Sequence, residues 1–135
     1  MKAFIALAAI GLLSCSSTSS APTVTDQQLQ CLNKRRDYVN QAIVANKQTL
    51  VGMEEDIALF KTPEGRIIGY LIEQGECSTV LTQIPAGGKE QAEQFIAAEV
   101  NKNHGPLFIT KEHVQYKYYT ARQGANDYIV AQAMN

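Results

Sequence analysis

The residues that could carry out chemistry are few, and they do not form a familiar catalytic pattern. The histidines are His104 and His113, and neither belongs to an HExxH motif or to another ligand pair at usable spacing. The acidic run at 54–56 is typical of a solvated surface, and the GGK at 87–89 lacks the rest of a phosphate-binding loop. An enzyme needs a nucleophile, a base or a metal site in defined geometry. We therefore predict no catalytic residues, metal or cofactor, with a hydrolase of unrecognised site as an alternative.

The amino-terminal segment is typical of an exported protein. Met1 and Lys2 precede an uncharged apolar run, Ala3–Leu13. The run is too short to span a bilayer, which takes about 20 residues. It fits the apolar core of a secretory signal, which is roughly 7–15 residues long. We therefore predict a signal peptide at the start of this chain.

A cysteine follows this run directly, in the sequence Leu12-Leu13-Ser14-Cys15. This sequence resembles the lipobox of bacterial lipoproteins. The resemblance implies that residues 1–14 are removed and that Cys15 carries a diacylglycerol thioether, usually with a further acyl chain such as palmitate on its amine. With Ser16 next, it also implies export to the outer membrane, where the protein would face the periplasm. An ordinary signal peptide that is cut after Ala21 is the alternative.

Composition indicates one small domain behind a tether. Residues 16–25 read SSTSSAPTVT and carry no charge, which is typical of a flexible linker, so we assign 15–25 to the lipidated cysteine and its tether. Residues 26–135 then form a single domain. The formal net charge of the whole chain is −1. There is no basic surplus that would indicate a nucleic-acid partner.

Two further cysteines, Cys31 and Cys77, form an even pair once Cys15 is lipidated. An exported chain meets an oxidising compartment, so a disulfide between them is the favoured interpretation. It would close a loop of about 46 residues and contribute about 3–4 kcal/mol in the chain-entropy model. Two buried free thiols are the alternative.

The hydrophobic pattern predicts an α+β domain. Asp26 can cap a helix over residues 27–47, and a second helix is predicted over Lys89–Asn103, which ends at Gly105 and Pro106. Between them, residues 49–51 are apolar, and three strand-like runs follow at 57–61, 66–72 and 77–84, with the turn TPEG at 62–65 between the first two. Residues 53–56 could be helical instead. After the second helix, residues 107–110 are strand-like, and two longer strands follow. We therefore predict a mainly antiparallel sheet of about five strands with both helices packed on it.

Tyrosines crowd the next-to-last strand. Tyr116 and Tyr118 lie on one face of that strand and Tyr119 on the other, while Tyr128 lies on the predicted partner strand. Tyrosine combines a large apolar ring with a polar tip, which suits interfaces, but it is also a good strand former. A groove between the second helix and these strands could hold an apolar helical segment. The predicted partner-binding residues are Phe95, Ile96, Val100, Tyr116 and Tyr118.

The region from about Gly88 to Tyr128 resembles a known lipoprotein class. It contains a helix with Phe95, a break at proline, and the sequence LFITKEHVQYKYYTARQGANDY. This order is similar to that of the AspS-type pilotins of type II secretion, although the cysteines are placed differently. The resemblance implies an α+β domain that binds the C-terminal segment of a secretin and escorts it to the outer membrane.

Two other functions stay open. The Val51-Gly52-Met53 and Thr62-Pro63 landmarks resemble those of small outer-membrane assembly lipoproteins related to BamE, although the spacing differs. Alternatively, the chain is an envelope lipoprotein that inhibits or excludes an external enzyme or receptor ligand. Such a protein would use an exposed loop, and the candidate loops are Pro85–Gly88 and Arg122–Asn126.

Overall fold

A computed structural model of the protein describes residues 21–134, which contain three helices and seven strands. The helices are α1 (Asp26–Leu29), α2 (Arg36–Ala45) and α3 (Lys89–Asn103). The strands are β1 (Thr49–Glu54), β2 (Ile57–Lys61), β3 (Ile67–Glu73), β4 (Glu76–Gln83), β5 (Phe108–Ile109), β6 (Gln115–Gln123) and β7 (Asn126–Ala133). No helix in this part of the chain is both long and apolar enough to cross a bilayer.

All seven strands form one antiparallel sheet in the order β1-β2-β3-β4-β7-β6-β5. The α+β class and the antiparallel sheet are confirmed, and α3 has the predicted bounds. The predicted number of about five strands is too low. The count of about five leaves out β1 and β5, because residues 53–56 also fit a helix and the strand-like run at 107–110 forms a strand of only two residues.

The single helix predicted over residues 27–47 is wrong. Thr25, not Asp26, caps α1, and its hydroxyl accepts the Gln28 N–H while the Gln28 side chain accepts the Thr25 N–H, which is a capping box. Helix α1 ends at Leu29, and the turn that follows includes Asn33, whose φ is 64°. Asparagine tolerates this left-handed conformation, which lets the Asn33 N–H donate to Cys77 O (2.7 Å) while Cys77 N–H donates to Lys34 O (2.8 Å). Pairing with β4 therefore replaces the middle of the predicted helix.

The sheet buries apolar side chains on both of its faces. On one face, Ile129 and Ala131 pack with Leu32 of the α1–α2 connection, Val39 of α2 and Ala92 of α3. The other face holds a separate cluster. This second cluster contains Ile57, Leu81, Tyr128 and Val130, all of them buried. Successive side chains of a strand point to opposite faces, so alternate residues of β7 belong to different clusters.

Coiling of the sheet closes the second cluster. β1 and β7 are four strand positions apart, which would be about 19 Å in a flat sheet. Nevertheless, the Tyr128 hydroxyl of β7 donates to Glu54 Oε1 of β1 at 3.0 Å. Accumulated strand twist must therefore bring the β1–β2 hairpin across the β6–β7 hairpin.

Residues 21–25 are packed on the domain, although the sequence analysis assigned them to the tether. Val24 is buried in the core. The Arg66 guanidinium donates to Thr23 Oγ1 at 2.6 Å and to Ala21 O at 2.9 Å. These contacts fix the point at which the chain enters the domain. The predicted signal peptide, the lipidated Cys15 and the rest of the tether lie outside the described residues.

Candidate protein-binding site

The five predicted partner-binding residues come together, but they pack against one another, and only Tyr116 also lines an open cleft. The Phe95 ring of α3 meets the Tyr118 ring edge-on, with 5.6 Å between centroids. Tyr118 also contacts Tyr116 and Phe108, at 5.5 and 5.0 Å. Ile96 and Val100 are half-buried against the same core. The predicted groove is therefore filled by the contact between α3 and β6.

An open cleft lies beside this cluster, between the α1–α2 segment and the β5–β6 turn. Its volume is about 340 Å³. Its wall includes the apolar side chains of Leu29, Leu32 and Tyr116. Tyr116 is the predicted partner-binding residue that lines this cleft. Tyr38 of α2 and Ile109 of β5 also line it, and these side chains are 39% and 57% exposed. We call this feature the α1–β5 cleft.

The rim of the α1–β5 cleft carries charges that are partly neutralised. The Lys34 ammonium forms an ion pair with Glu112, which ties the α1–α2 connection to the β5–β6 turn. The same ammonium lies 4.4 Å from the centre of the Tyr38 ring, which is a cation–π contact. Asp26 and Lys111 complete the charged rim. A mixed rim around apolar walls is the usual anatomy of a protein-binding surface.

Burial dominates the electrostatics of the two central tyrosines. It raises the pKa of Tyr116 and of Tyr118 above the usual tyrosine range. The carboxylates of Glu99 and Asp26 raise the pKa of both hydroxyls further. Both hydroxyls therefore stay protonated near neutral pH, as neutral hydrogen-bonding groups.

A larger recess of about 580 Å³ lies between residues 23–28 and the β2–β3 hairpin. Most of the residues that line it are of polar types, and several of their polar groups are already paired. The Gln48 side chain accepts a hydrogen bond from Tyr70 (2.9 Å), and Arg66 donates to Thr23. The α1–β5 cleft is the better protein-binding candidate, because its exposed tyrosine and isoleucine lose unfavourable contact with water when a partner covers them.

The loops proposed for an inhibitor are short turns. The turn between β6 and β7 consists of Gly124 and Ala125, with Gly124 at a φ of 60°. Arg122 forms an ion pair with Asp127 across this turn at 3.3 Å. Pro85–Gly88 leads directly into α3, and the Gly88 N–H donates to Pro85 O at 2.8 Å. Neither loop projects an extended segment.

Neither histidine is among the residues that line the cleft, and both lie at exposed ends of elements. His104 ends α3 and His113 precedes β6, each with a positive φ. Among residues 21–134, no group of three or more His, Cys, Asp or Glu side chains is placed to hold a metal ion.

The structure records Cys31 and Cys77 as free, fully buried thiols. Asn33 and Lys34 form backbone hydrogen bonds with Cys77. This pairing brings together the two chain segments that contain Cys31 and Cys77. Burial raises the pKa of Cys31 to about 11 and that of Cys77 to about 12, and Cys31 contributes to the second shift. The disulfide between them stays a prediction.

We expect both thiols of the reduced, folded protein to resist iodoacetamide at neutral pH. The thiolate is the reactive form, and these raised pKa values suppress it. Labelling of the two cysteine peptides, followed by mass spectrometry with and without urea, measures this. In protein isolated from an oxidising compartment, labelling in urea should also require a reductant. Labelling in urea without a reductant would contradict the disulfide.

Comparison with known proteins adds no relative. No family model matches the chain, and no curated protein or solved structure matches it significantly. The function must therefore be argued from the residues themselves.

The sequence analysis missed Tyr38 and Ile109, which are the most exposed apolar members of the cleft. In α2 the buried residue is Val39, and Tyr38 is exposed beside it. A large aromatic residue off the buried face of a helix is the signal that could have identified Tyr38. Ile109 lies in a two-residue strand. Nothing in the sequence indicates that these two residues meet.

Proposed function

We propose that this chain is a non-catalytic, lipid-anchored protein of the outer membrane that binds an apolar segment of another envelope protein. The observation that carries the proposal is the α1–β5 cleft. It joins apolar walls to an exposed tyrosine and an exposed isoleucine on opposite sides. Tyrosine at such a position contributes area at a small cost in side-chain entropy, which suits an interface.

The partner that best fits this proposal is the C-terminal segment of a type II secretin, which would make the protein a pilotin. Two observations support this choice. The region from Gly88 to Tyr128 resembles AspS-type pilotins, and the cleft has a suitable size. About 340 Å³ accommodates a few apolar side chains on one face of an amphipathic helix. The segment would lay this face on Leu29, Leu32 and Tyr116, beside α3 instead of beneath it.

The lipid on Cys15 would supply membrane affinity in this proposal. Stable anchoring takes two or more acyl signals, as the lipobox resemblance implies. The residues between Cys15 and Ala21 can span at most about 20 Å when fully extended. The domain would therefore hold its partner close to the membrane surface, where a secretin must insert.

We expect Tyr38→Ala to weaken binding of the secretin C-terminal peptide at least tenfold, because it removes one wall of the α1–β5 cleft. Ile109→Glu should weaken it further, because a carboxylate would have to be desolvated against the apolar peptide. Titration calorimetry with the peptide from the same organism's secretin measures both effects. The full chain in detergent is the sample.

Tyr119→Ala is the matched control, since Tyr119 is equally exposed (38%) but lies on the opposite face of β6. Its binding constant should equal that of the unchanged protein. The pilotin proposal fails if the peptide does not bind at all. The cleft assignment fails if Tyr119→Ala weakens binding as much as Tyr38→Ala does.

A further inference from the structure

The free edge of β1 is the most apolar exposed strand of the sheet. β1 ends the sheet, so among residues 21–134 one side of its backbone has no strand partner. Three of its large apolar side chains are exposed: Leu50 by 60%, Val51 by 51% and Met53 by 64%. No charged residue or proline occurs from Thr49 to Met53. Natural edge strands usually carry such residues to prevent pairing with another strand.

The opposite edge of the sheet is protected in the ordinary way. β5 has two residues, and Lys111 and Glu112 follow it closely. Short length and nearby charges are common protections of an edge. The two edges of the sheet therefore differ, because charges lie close to β5 but none occurs from Thr49 to Met53 of β1.

Leu50 and Met53 lie on the helix-covered face of the sheet. They pair with Phe60 and Ala58 of β2, and Phe60 packs edge-on against Tyr70 of the helix-side core. Val44, near the end of α2, is 77% exposed. The chain passes from α2 to β1 within a few residues, and the Gln48 N–H donates to the Ile43 carbonyl there. The exposed apolar residues of β1 are therefore close in the chain to another exposed apolar side chain.

Charges at the two ends of β1 have opposite signs. Lys47 precedes the strand, and Lys61 of β2 pairs with its first residue, Thr49. Glu54, Glu55 and Asp56 end it. A strand that complements this edge in antiparallel direction must be acidic at one end, basic at the other and apolar between. β1 itself has this pattern.

We infer that β1 pairs antiparallel with β1 of a second copy of this chain, across a two-fold axis. The register that sets Leu50 opposite the second copy's Met53 keeps both side chains on the helix side. The same register brings Lys47 near the second copy's Asp56. Two sheets would become one continuous sheet, which is an isologous contact. This inference does not depend on the partner of the α1–β5 cleft.

The charge pattern has a direct test by exchange. Lys47→Glu places a second acidic side chain near the second copy's Asp56, so dimerisation should weaken at least tenfold. Adding Asp56→Lys to the same chain restores opposite charges at both ends and should restore the dimer. A merely local effect of either substitution on folding would not be repaired in this way.

Sedimentation equilibrium of the full chain in density-matched detergent, at about 100 μM chain, measures the mass of the assembly. We expect a dimer for the unchanged protein, a monomer for Met53→Lys, and a dimer for the control Ile109→Lys on the opposite edge. The inference is wrong if the unchanged protein is monomeric, or if the double exchange stays as weak as Lys47→Glu. It is also wrong if Met53→Lys keeps the dimer while it abolishes binding of a different protein.

Discussion

Gln28→Ala is expected to lower the free energy of unfolding by about 3 kcal/mol, because it leaves several buried polar groups unpaired. The Gln28 amide donates to Leu81 O at 3.2 Å and to Thr82 Oγ1 at 3.0 Å, inside the core. Its carbonyl oxygen accepts the Thr25 N–H at 2.9 Å, which completes the capping box of α1. One side chain therefore ties the first helix to β4.

Gln27→Ala is the matched control for this prediction. Gln27 belongs to the same turn of α1 but is exposed, and its side chain has no recorded partner in residues 21–134. Urea denaturation followed by circular dichroism should show a lower midpoint for Gln28→Ala alone. Equal midpoints for the two variants would mean that Gln28 adds nothing beyond helix propensity.

Gly69→Val is expected to destabilise the fold by a similar amount, about 3 kcal/mol, through overpacking. Gly69 lies on β3 within the second core, where the coiled sheet brings neighbouring strands close. A Cβ added there would lie 2.9 Å from Ile57 Cγ2 and 3.2 Å from Leu59 Cδ2. These methyl groups are themselves packed, so they cannot move away without disturbing the cluster.

Gly52→Val provides the comparison, since a Cβ at Gly52 on β1 meets nothing within 4 Å. Thermal unfolding should show a lower Tm for Gly69→Val and little change for Gly52→Val. A small, equal effect at both sites would show that the second core has room for the added methyl groups. Such a result would contradict the close packing of the second core around Gly69.

The sequence predicted those parts of the fold that rest on local patterns. Helix α3 has a clear apolar face and stop signals at Gly105 and Pro106, so its bounds were predictable. Alternation placed Tyr116 and Tyr118 on one face of β6 and Tyr119 on the other, as observed. The tetrapeptide at 62–65 likewise marked the turn between β2 and β3.

The parts that the sequence did not predict depend on contacts between distant segments. The first helix breaks because Asn33 pairs with Cys77, which is 44 positions later in the chain. The site residues show the same limit. The sequence predicted that the apolar residues of α3 and the tyrosines of β6 would bind a partner, but in the fold they pack against each other. The open cleft lies beside that contact and is lined by Tyr38 of α2 and Ile109 of β5.

The hydrogen bonds from Arg66 to Thr23 and Ala21 determine how a pulling force on the chain before Ala21 reaches the sheet. A pull on the chain before Ala21 is transferred through Arg66 to the start of β3. That strand is hydrogen-bonded to β2 on one side and to β4 on the other. Load therefore enters an interior strand, which cannot be peeled away one hydrogen bond at a time as an edge strand can. A domain that is pulled through residues 21–23 would therefore keep both of its edge strands, β1 and β5, paired.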